Sequence, residues 1–210
     1  MGVGGDPKRM IIESGDPKVH TGDETRGGEN RRPSAVFIVG PTCCGKTEAG
    51  RHLAGRGFTW IEPSQYVKKE VPLDIPILTR LKMVDSFFER VGKDYVAKCL
   101  LSHVLDGGHQ PPFVITGCRQ AIEVQLLTPR FRTVVIALHA DDSIRFARCT
   151  ARSRGDATIN FETFLRATAW EYSLGLAEIV HGADWILLNN RSLSDLHHAI
   201  ERIVAIARQP

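Results

Sequence analysis

Residues 35–47 read AVFIVGPTCCGKT, and EAGRHLAGR follows at 48–56. Five apolar residues in a row mark a strand buried on both faces. Gly40, four intervening residues, then Gly45, Lys46 and Thr47 have the spacing of a phosphate-binding P-loop. The order strand, loop, helix is the context that this motif requires. Gly40 and Gly45 let the backbone curl so that its N–H groups face a phosphate, and the start of the helix adds favourable charge there. Lys46 can reach the outer phosphates, and the Thr47 hydroxyl can ligate Mg²⁺ bridging two of them. The nucleotide-binding candidates are therefore Gly40, Thr42, Cys43, Cys44, Gly45, Lys46 and Thr47, with Thr47 as the metal ligand. The chain has no DxxG after its third strand and no NKxD-type base-reading motif, so ATP, not GTP, is the expected nucleotide.

Outward from this stretch, short apolar runs alternate with helical patterns. The helix begun in the loop should run to about Arg56, where Gly57 ends it. FTWIE (58–62), PFVIT (112–116), TVVIALHA (133–140) and DWILLN (184–189) read as further strands. Helices are expected over 76–91, opening with a proline, and over 93–108, closed by two glycines. Others are expected over 141–154 behind capping aspartates, over 161–181 in one or two pieces, and over 192–209 capped by Ser192 or Ser194. Five buried strands alternating with helices imply an α/β fold: a five-stranded parallel sheet with helices on both faces. Its ligand edge lies at the loops that follow the strands.

The 210 residues suit one such domain, 34–210, preceded by a tail, 1–33. That tail is rich in Gly, Pro and charge, with six basic and six acidic residues and one apolar patch at Met10, Ile11 and Ile12. It buries too little apolar surface to offset its ordering entropy and is expected to be disordered. No feature in it identifies a protein partner. The net charge of +3 suits a pocket for phosphorylated ligands and falls short of a dedicated nucleic-acid binder; nucleic acid is allowed but not required. No apolar run approaches the roughly 20 residues of a membrane span, and the N-terminus has no signal-peptide core. The expectation is a cytoplasmic protein that does not enter membranes. The five cysteines include one vicinal pair, Cys43 and Cys44, and no zinc spacing. The plain reading of that pair is small loop filler. The sharper one is a redox gate, because a helix N-terminus lowers thiol pKa.

GPTCCGKT is followed by IEPSQYVKKE (61–70), VITGCRQAIEV (114–124), VVIALHADDSIRFARCTARSRGD (134–156) and AWEYSLGLAEIVHGADWILLNN (169–190). In this order the stretches resemble small P-loop kinases: nucleoside monophosphate kinases and, more closely, the dephospho-CoA-kinase-related nucleotide kinases. The resemblance covers about 34–205. It implies a kinase-like P-loop fold with a mobile lid around 148–158, where Arg148, Arg152 and Arg154 would cover the transferring phosphoryl group. Arg148 and Arg152 are four apart, on one helical face. The resemblance also implies that Arg119 grips the acceptor's phosphate, with Glu123 one turn away to orient it. Asn189 or Asn190 would lie near the adenine pocket. Two expected acids are absent: Gln65 stands early in the helix after strand two, and Thr116 ends strand three. Glu62, at the end of strand two, is the nearest carboxylate to orient an acceptor hydroxyl or help hold the metal.

The sequence thus points to an ATP- and Mg²⁺-dependent kinase acting on a nucleotide-like small molecule, with Lys46, Arg119, Arg148, Arg152 and Glu62 as its catalytic candidates. Two alternatives stay open. One is a kinase acting on a modified-base hydroxyl in DNA. The other is a pseudokinase that binds nucleotide without turnover, which the losses at positions 65 and 116 favour.

Overall fold

The computed structural model describes residues 10–13, 34–72, 75–152 and 159–207. Among these residues six strands form one sheet: β1 Met10–Glu13, β2 Ala35–Val39, β3 Thr59–Ile61, β4 Phe113–Thr116, β5 Thr133–His139 and β6 Trp185–Leu188. Their order is β1-β6-β5-β2-β4-β3, and every pairing is parallel. The strand expected from AVFIV is β2. It lies between β4 and β5, with Val36 level with Val114 on one side and Val134 on the other. The P-loop therefore leaves the middle of the sheet at its carboxyl edge, where ligands bind in open α/β sheets.

The expected five strands become six, because part of the supposedly disordered tail pairs with β6. Ile11 lies level with Ile186 and Ile12 with Leu187. Ile12 is buried and Ile11 exposed, so the apolar patch in the tail is half an edge strand's side chains. The rest of the tail lies outside the described residues.

The helices are α1 Lys46–Ala54, α2 Ser64–Lys68, α3 Ile77–Val91, α4 Tyr95–Asp106, α5 Ala121–Gln125, α6 Asp142–Thr150, α7 Phe161–Glu171, α8 Ala177–His181 and α9 Leu193–Ile206. The two short helices α2 and α5 carry no periodicity long enough to read from sequence. Ser192 caps α9, its hydroxyl accepting from the Asp195 N–H while the Asp195 carboxylate accepts in return. The Asp141 side chain makes no capping bond on α6. Asp141 instead donates its N–H to Asn190 Oδ1 at 2.9 Å. Helices α7 and α8 join through a π turn, Tyr172–Leu176, around Gly175 at φ 138°.

Alternate residues of the central strands feed two cores, as a period of two requires. Val36, Ile38, Ile136 and Leu138 pack with Leu53 of α1 and Leu196, Ile200 and Ile203 of α9. Phe37, Val39, Ile115 and Val135 pack on the other face with Leu100 and Val104 of α4 and Ile179 of α8. These layers clamp β2 and so fix where the P-loop starts. No helix among the described residues is long and apolar enough to cross a membrane.

Candidate active site

The loop between β2 and α1 is shaped by close packing. A Cβ on Gly40 would stand 2.2 Å from the Leu138 carbonyl oxygen, and one on Gly45 2.4 Å from Asn189 Nδ2. Both glycines have positive φ, so the backbone geometry and the lack of room demand the same residue. Asn189, at the end of β6, donates from Nδ2 to the Cys44 carbonyl at 2.8 Å. Arg148 of α6 donates to the Asn189 carbonyl at 3.0 Å. Arg148 thus braces the loop that holds Asn189, while Arg152, two residues past α6, lines the cavity. Residues 153–158, Arg154 among them, lie outside the described residues.

Two cations converge on one oxygen. Lys46 Nζ donates to the Gly40 carbonyl at 2.8 Å and to the Pro41 carbonyl at 2.7 Å. Arg119, beyond the end of β4, donates from Nη1 to the same Gly40 carbonyl at 3.0 Å. Burial pushes Lys46 below its ordinary pKa, and Arg119 adds to the effect.

Their counter-charge is Glu171, the last residue of α7, which sequence reasoning did not single out. Its carboxylate accepts from the Thr42 N–H at 2.7 Å, from the Thr42 hydroxyl, and from Arg119 Nη2 at 2.9 Å. Burial opposes its ionisation, but Arg119, Lys46 and the two Thr42 bonds outweigh that and hold the carboxyl below its ordinary value. Nothing local marks Glu171 in the sequence, because it meets Thr42 across 129 residues.

Glu123 orients Arg119 through the backbone. Its carboxylate accepts the N–H groups of Arg119 at 3.2 Å and Gln120 at 3.0 Å. Burial pushes its pKa up to about 7 against those bonds. Arg145 of α6 is also unforeseen. It is 1% exposed, donates to the Thr42 carbonyl at 2.9 Å and to Asp142 at 2.6 Å, and lies over the Phe164 ring.

The position that lacks an acid has a structural partner instead. Thr116 is buried and accepts from the Trp60 indole N–H at 2.9 Å. Glu62 is half-exposed and 3.6 Å from Lys68. Gln65 lies in α2 and donates its backbone N–H to the Glu62 carbonyl at 3.0 Å.

Several of these residues line one cavity of about 790 Å³. Thr42, Cys43, Lys46, Thr47, Arg119 and Glu171 line its polar end. Its other arm runs between α2, α3 and the π turn and is mostly apolar, with Val67, Leu81, Val84, Phe88 and Leu174 on its walls and Lys68 and Arg80 among them. Glu62 lines it too. Of the sequence candidates, Thr42, Cys43, Lys46, Thr47, Arg119, Arg152 and Glu62 share this cavity, whereas Arg148 and Asn189 act on the loop beside it.

No protein-family profile matches the chain. Over 177 residues it is 28% identical to a UPF0200 protein of Pyrococcus horikoshii, a match covering 81% of this chain and 95% of that one. It is 29% identical over 173 residues to a UPF0200 protein of Pyrobaculum aerophilum, covering 81% and 97%. Among solved structures it is similar to the shikimate kinase of Acinetobacter baumannii in complex with shikimate, with TM-score 0.56, 22% identity and coverage of 84% and 94%. It is also similar to a gluconokinase of Sinorhizobium meliloti, with TM-score 0.51, 13% identity and coverage of 83% and 95%. The chain therefore has a P-loop, kinase-like α/β fold related to those of small-molecule kinases.

Proposed function

We propose that the protein is an ATP-dependent kinase that transfers the γ-phosphate to a phosphorylated, nucleotide-like small molecule. The observation that carries this reading is the meeting of Lys46 and Arg119 on the Gly40 carbonyl. A loop that only held a nucleotide needs the lysine. The arginine, from the loop after β4, suits a second phosphate beside the first.

The donor set fits Mg·ATP. Glu171 already places a carboxylate on the Thr42 N–H, which marks that group and Arg119 as an anion notch. Among the described residues no cluster of three His, Cys, Asp or Glu side chains is placed to hold a metal. Mg²⁺ would therefore rest on the Thr47 hydroxyl and the phosphates, and when bound it would neutralise charge on them. The chain's own part is positioning. Lys46 holds the outer phosphates, Arg119 the acceptor's phosphate and Arg152 the charge between them, while Glu62 orients the acceptor hydroxyl. Phosphoryl transfer depends on placement and charge more than on a strong base, so Gln65 and Thr116 are compatible with it.

The apolar arm supports a nucleotide-like acceptor over a polyol. Each hydroxyl of a polyol buried against Val84, Phe88 and Leu174 would lose its water partners without replacement. A flat base can lay its apolar faces against these side chains and keep its polar edge turned away from them.

A second reading rests on a specific observation: Thr116 is engaged by Trp60 where an acid would hold the metal's waters. On that reading the protein binds nucleotide and turns nothing over. Both are tested by offering γ-labelled ATP and Mg²⁺ with nucleoside monophosphates, dephospho-CoA and hydroxymethylated DNA, with Lys46→Ala as control. Label on a small-molecule acceptor, lost in the control, supports the kinase. Label on DNA alone moves the acceptor to a base hydroxyl. Intact ATP binding with no labelled acceptor supports the binding module.

A further inference from the structure

We propose that Cys43 and Cys149 are a redox-active pair, forming a reversible disulfide that ties the phosphate-binding loop to α6, with hydroperoxides as the oxidant. The inference stands on the loop's geometry and is independent of whether a phosphoryl group is ever transferred.

The two residues are 106 positions apart in sequence and share one small cluster with Phe164. Their contact is built, not incidental. Arg145 and Cys149 lie one turn apart on α6, and Arg145 anchors the Thr42 carbonyl at 2.9 Å. That anchor brings the next loop residue, Cys43, against the next turn of the helix. The Cys149 thiol hydrogen-bonds to Cys43. Cys43 and Cys149 both line the cavity, which gives a small oxidant a path towards them although little of either residue is exposed.

The other cysteines are placed differently. Cys44, although adjacent to Cys43, faces the opposite core with Val36, Ile38 and Leu138. Burial pushes the Cys118 thiol up, and Glu123 beside it adds to the shift. Cys99 is on α4, half-buried. Cys43, by contrast, is brought down to about 7, first by the hydrogen bond from Cys149 and then, against burial, by the charges of Arg152 and Lys46. A thiol in that range is substantially ionised at neutral pH and is the attacking partner.

The steps balance. The Cys43 thiolate attacks the terminal oxygen of a hydroperoxide, the O–O bond breaks, and an alcohol or water leaves after taking up a proton. Cys43 is then a sulfenic acid. The Cys149 sulfur attacks the Cys43 sulfur, the S–S bond forms and the S–O bond breaks. The departing hydroxide takes the Cys149 proton and leaves as water. Two thiols have lost two electrons to one peroxide, and a dithiol reverses the change. Phosphates bound in the loop bring negative charge to Cys43 and cover it, so bound nucleotide should oppose the disulfide.

The test is peptide mapping of the full chain, treated with a small excess of hydrogen peroxide and then alkylated. The expected product is a Cys43–Cys149 linked peptide that is lost on dithiothreitol treatment. It persists in Cys44→Ser, disappears in Cys43→Ser and in Cys149→Ser, and forms at least fivefold more slowly with saturating Mg·ATP. A bridge between Cys43 and Cys44, or over-oxidised Cys43 with no bridge, overturns the proposal. So does a bridge that forms equally fast with and without nucleotide in protein shown separately to bind it. The wild-type map alone decides the pairing even if a serine variant folds poorly.

Discussion

The carboxylate of Glu171 takes both hydrogen-bond donors of Thr42, with Oε2 2.7 Å from the backbone nitrogen, and also accepts from Arg119. An acidic side chain thus lies on a loop whose amides are arranged for phosphates. It compensates Lys46 and Arg119, and it competes for the same donor that a phosphate would use.

Glu171→Gln separates these two effects. The amide keeps an acceptor for the Thr42 N–H but removes the charge that repels phosphate. A unit charge about 5 Å away at an effective dielectric of 20 is worth about 3 kcal/mol before screening. ATP should bind roughly tenfold more tightly by calorimetry. The fold should lose about 1–3 kcal/mol in urea melts, because Arg119 keeps its charge without its partner. Unchanged ATP affinity would mean that Glu171 does not contest the phosphate site.

Glu123 sets a pH dependence of stability. It is buried and its folded pKa is raised to about 7 from an ordinary 4.5. Between those values the folded state holds a proton that the unfolded state has released, so stability falls as pH rises through that window and is level above it. The difference is on the order of 3 kcal/mol. Glu123→Gln can still accept a backbone N–H and has nothing to titrate, so its urea stability should be flatter than that of the wild type between pH 5 and 8. Glu171 acts in the other direction and in another window. Its folded value is depressed, so its contribution is complete above the ordinary glutamate value and fades as pH falls through the folded one.

What the sequence revealed depended on whether a signal was local. AVFIV and GPTCCGKT are contiguous, and they were enough to place β2, the loop and α1. The strand at Met10–Glu13 was hidden because four residues between charged and glycine-rich flanks carry too little apolar surface to stand out. Glu171, Arg145 and Trp60 were hidden for a different reason. Each acts on a residue far along the chain, and a buried polar group looks like a surface one until the fold closes over it. Arg148 shows the limit of spacing. Periodicity puts it on one face with Arg152 only if the helix runs to 154, whereas α6 ends at Thr150, and its bond to the Asn189 carbonyl is set by where β6 ends.

Gly175 is a third position where a Cβ is refused. It has φ 138°, and an added methyl would stand 2.9 Å from the Arg119 carbonyl oxygen. Gly175→Ala must strain the π turn and push on the backbone that presents Arg119. A cost of about 2–3 kcal/mol is expected. Binding at the acceptor end, read by nucleoside monophosphate titration, should weaken more than ATP binding, because the displaced segment carries Arg119 and not the P-loop. Equal losses at the two ends would point to general loosening instead.

Arg145 gives the sharpest separation of support from chemistry. Its guanidinium is 1% exposed and reaches the Thr42 carbonyl, Asp142 and the Thr168 hydroxyl at 2.9, 2.6 and 3.3 Å. Arg145→Met preserves much of the volume and removes every donor, leaving the Thr42 carbonyl without its Arg145 partner. An unsatisfied buried acceptor costs about 1–3 kcal/mol, and Asp142, half exposed at its side chain, recovers water and adds little. Arg145→Lys keeps the charge but cannot span the same acceptors, so it should recover only part of the loss. Because the Thr42 carbonyl belongs to the peptide shared with Cys43, both variants should weaken ATP binding several-fold. Both should also slow formation of the Cys43–Cys149 bridge, since the anchor that aligns the loop with α6 is gone. A variant with lower stability but wild-type ATP affinity and bridge formation would show that Arg145 supports α6 alone and leaves the loop to Asn189.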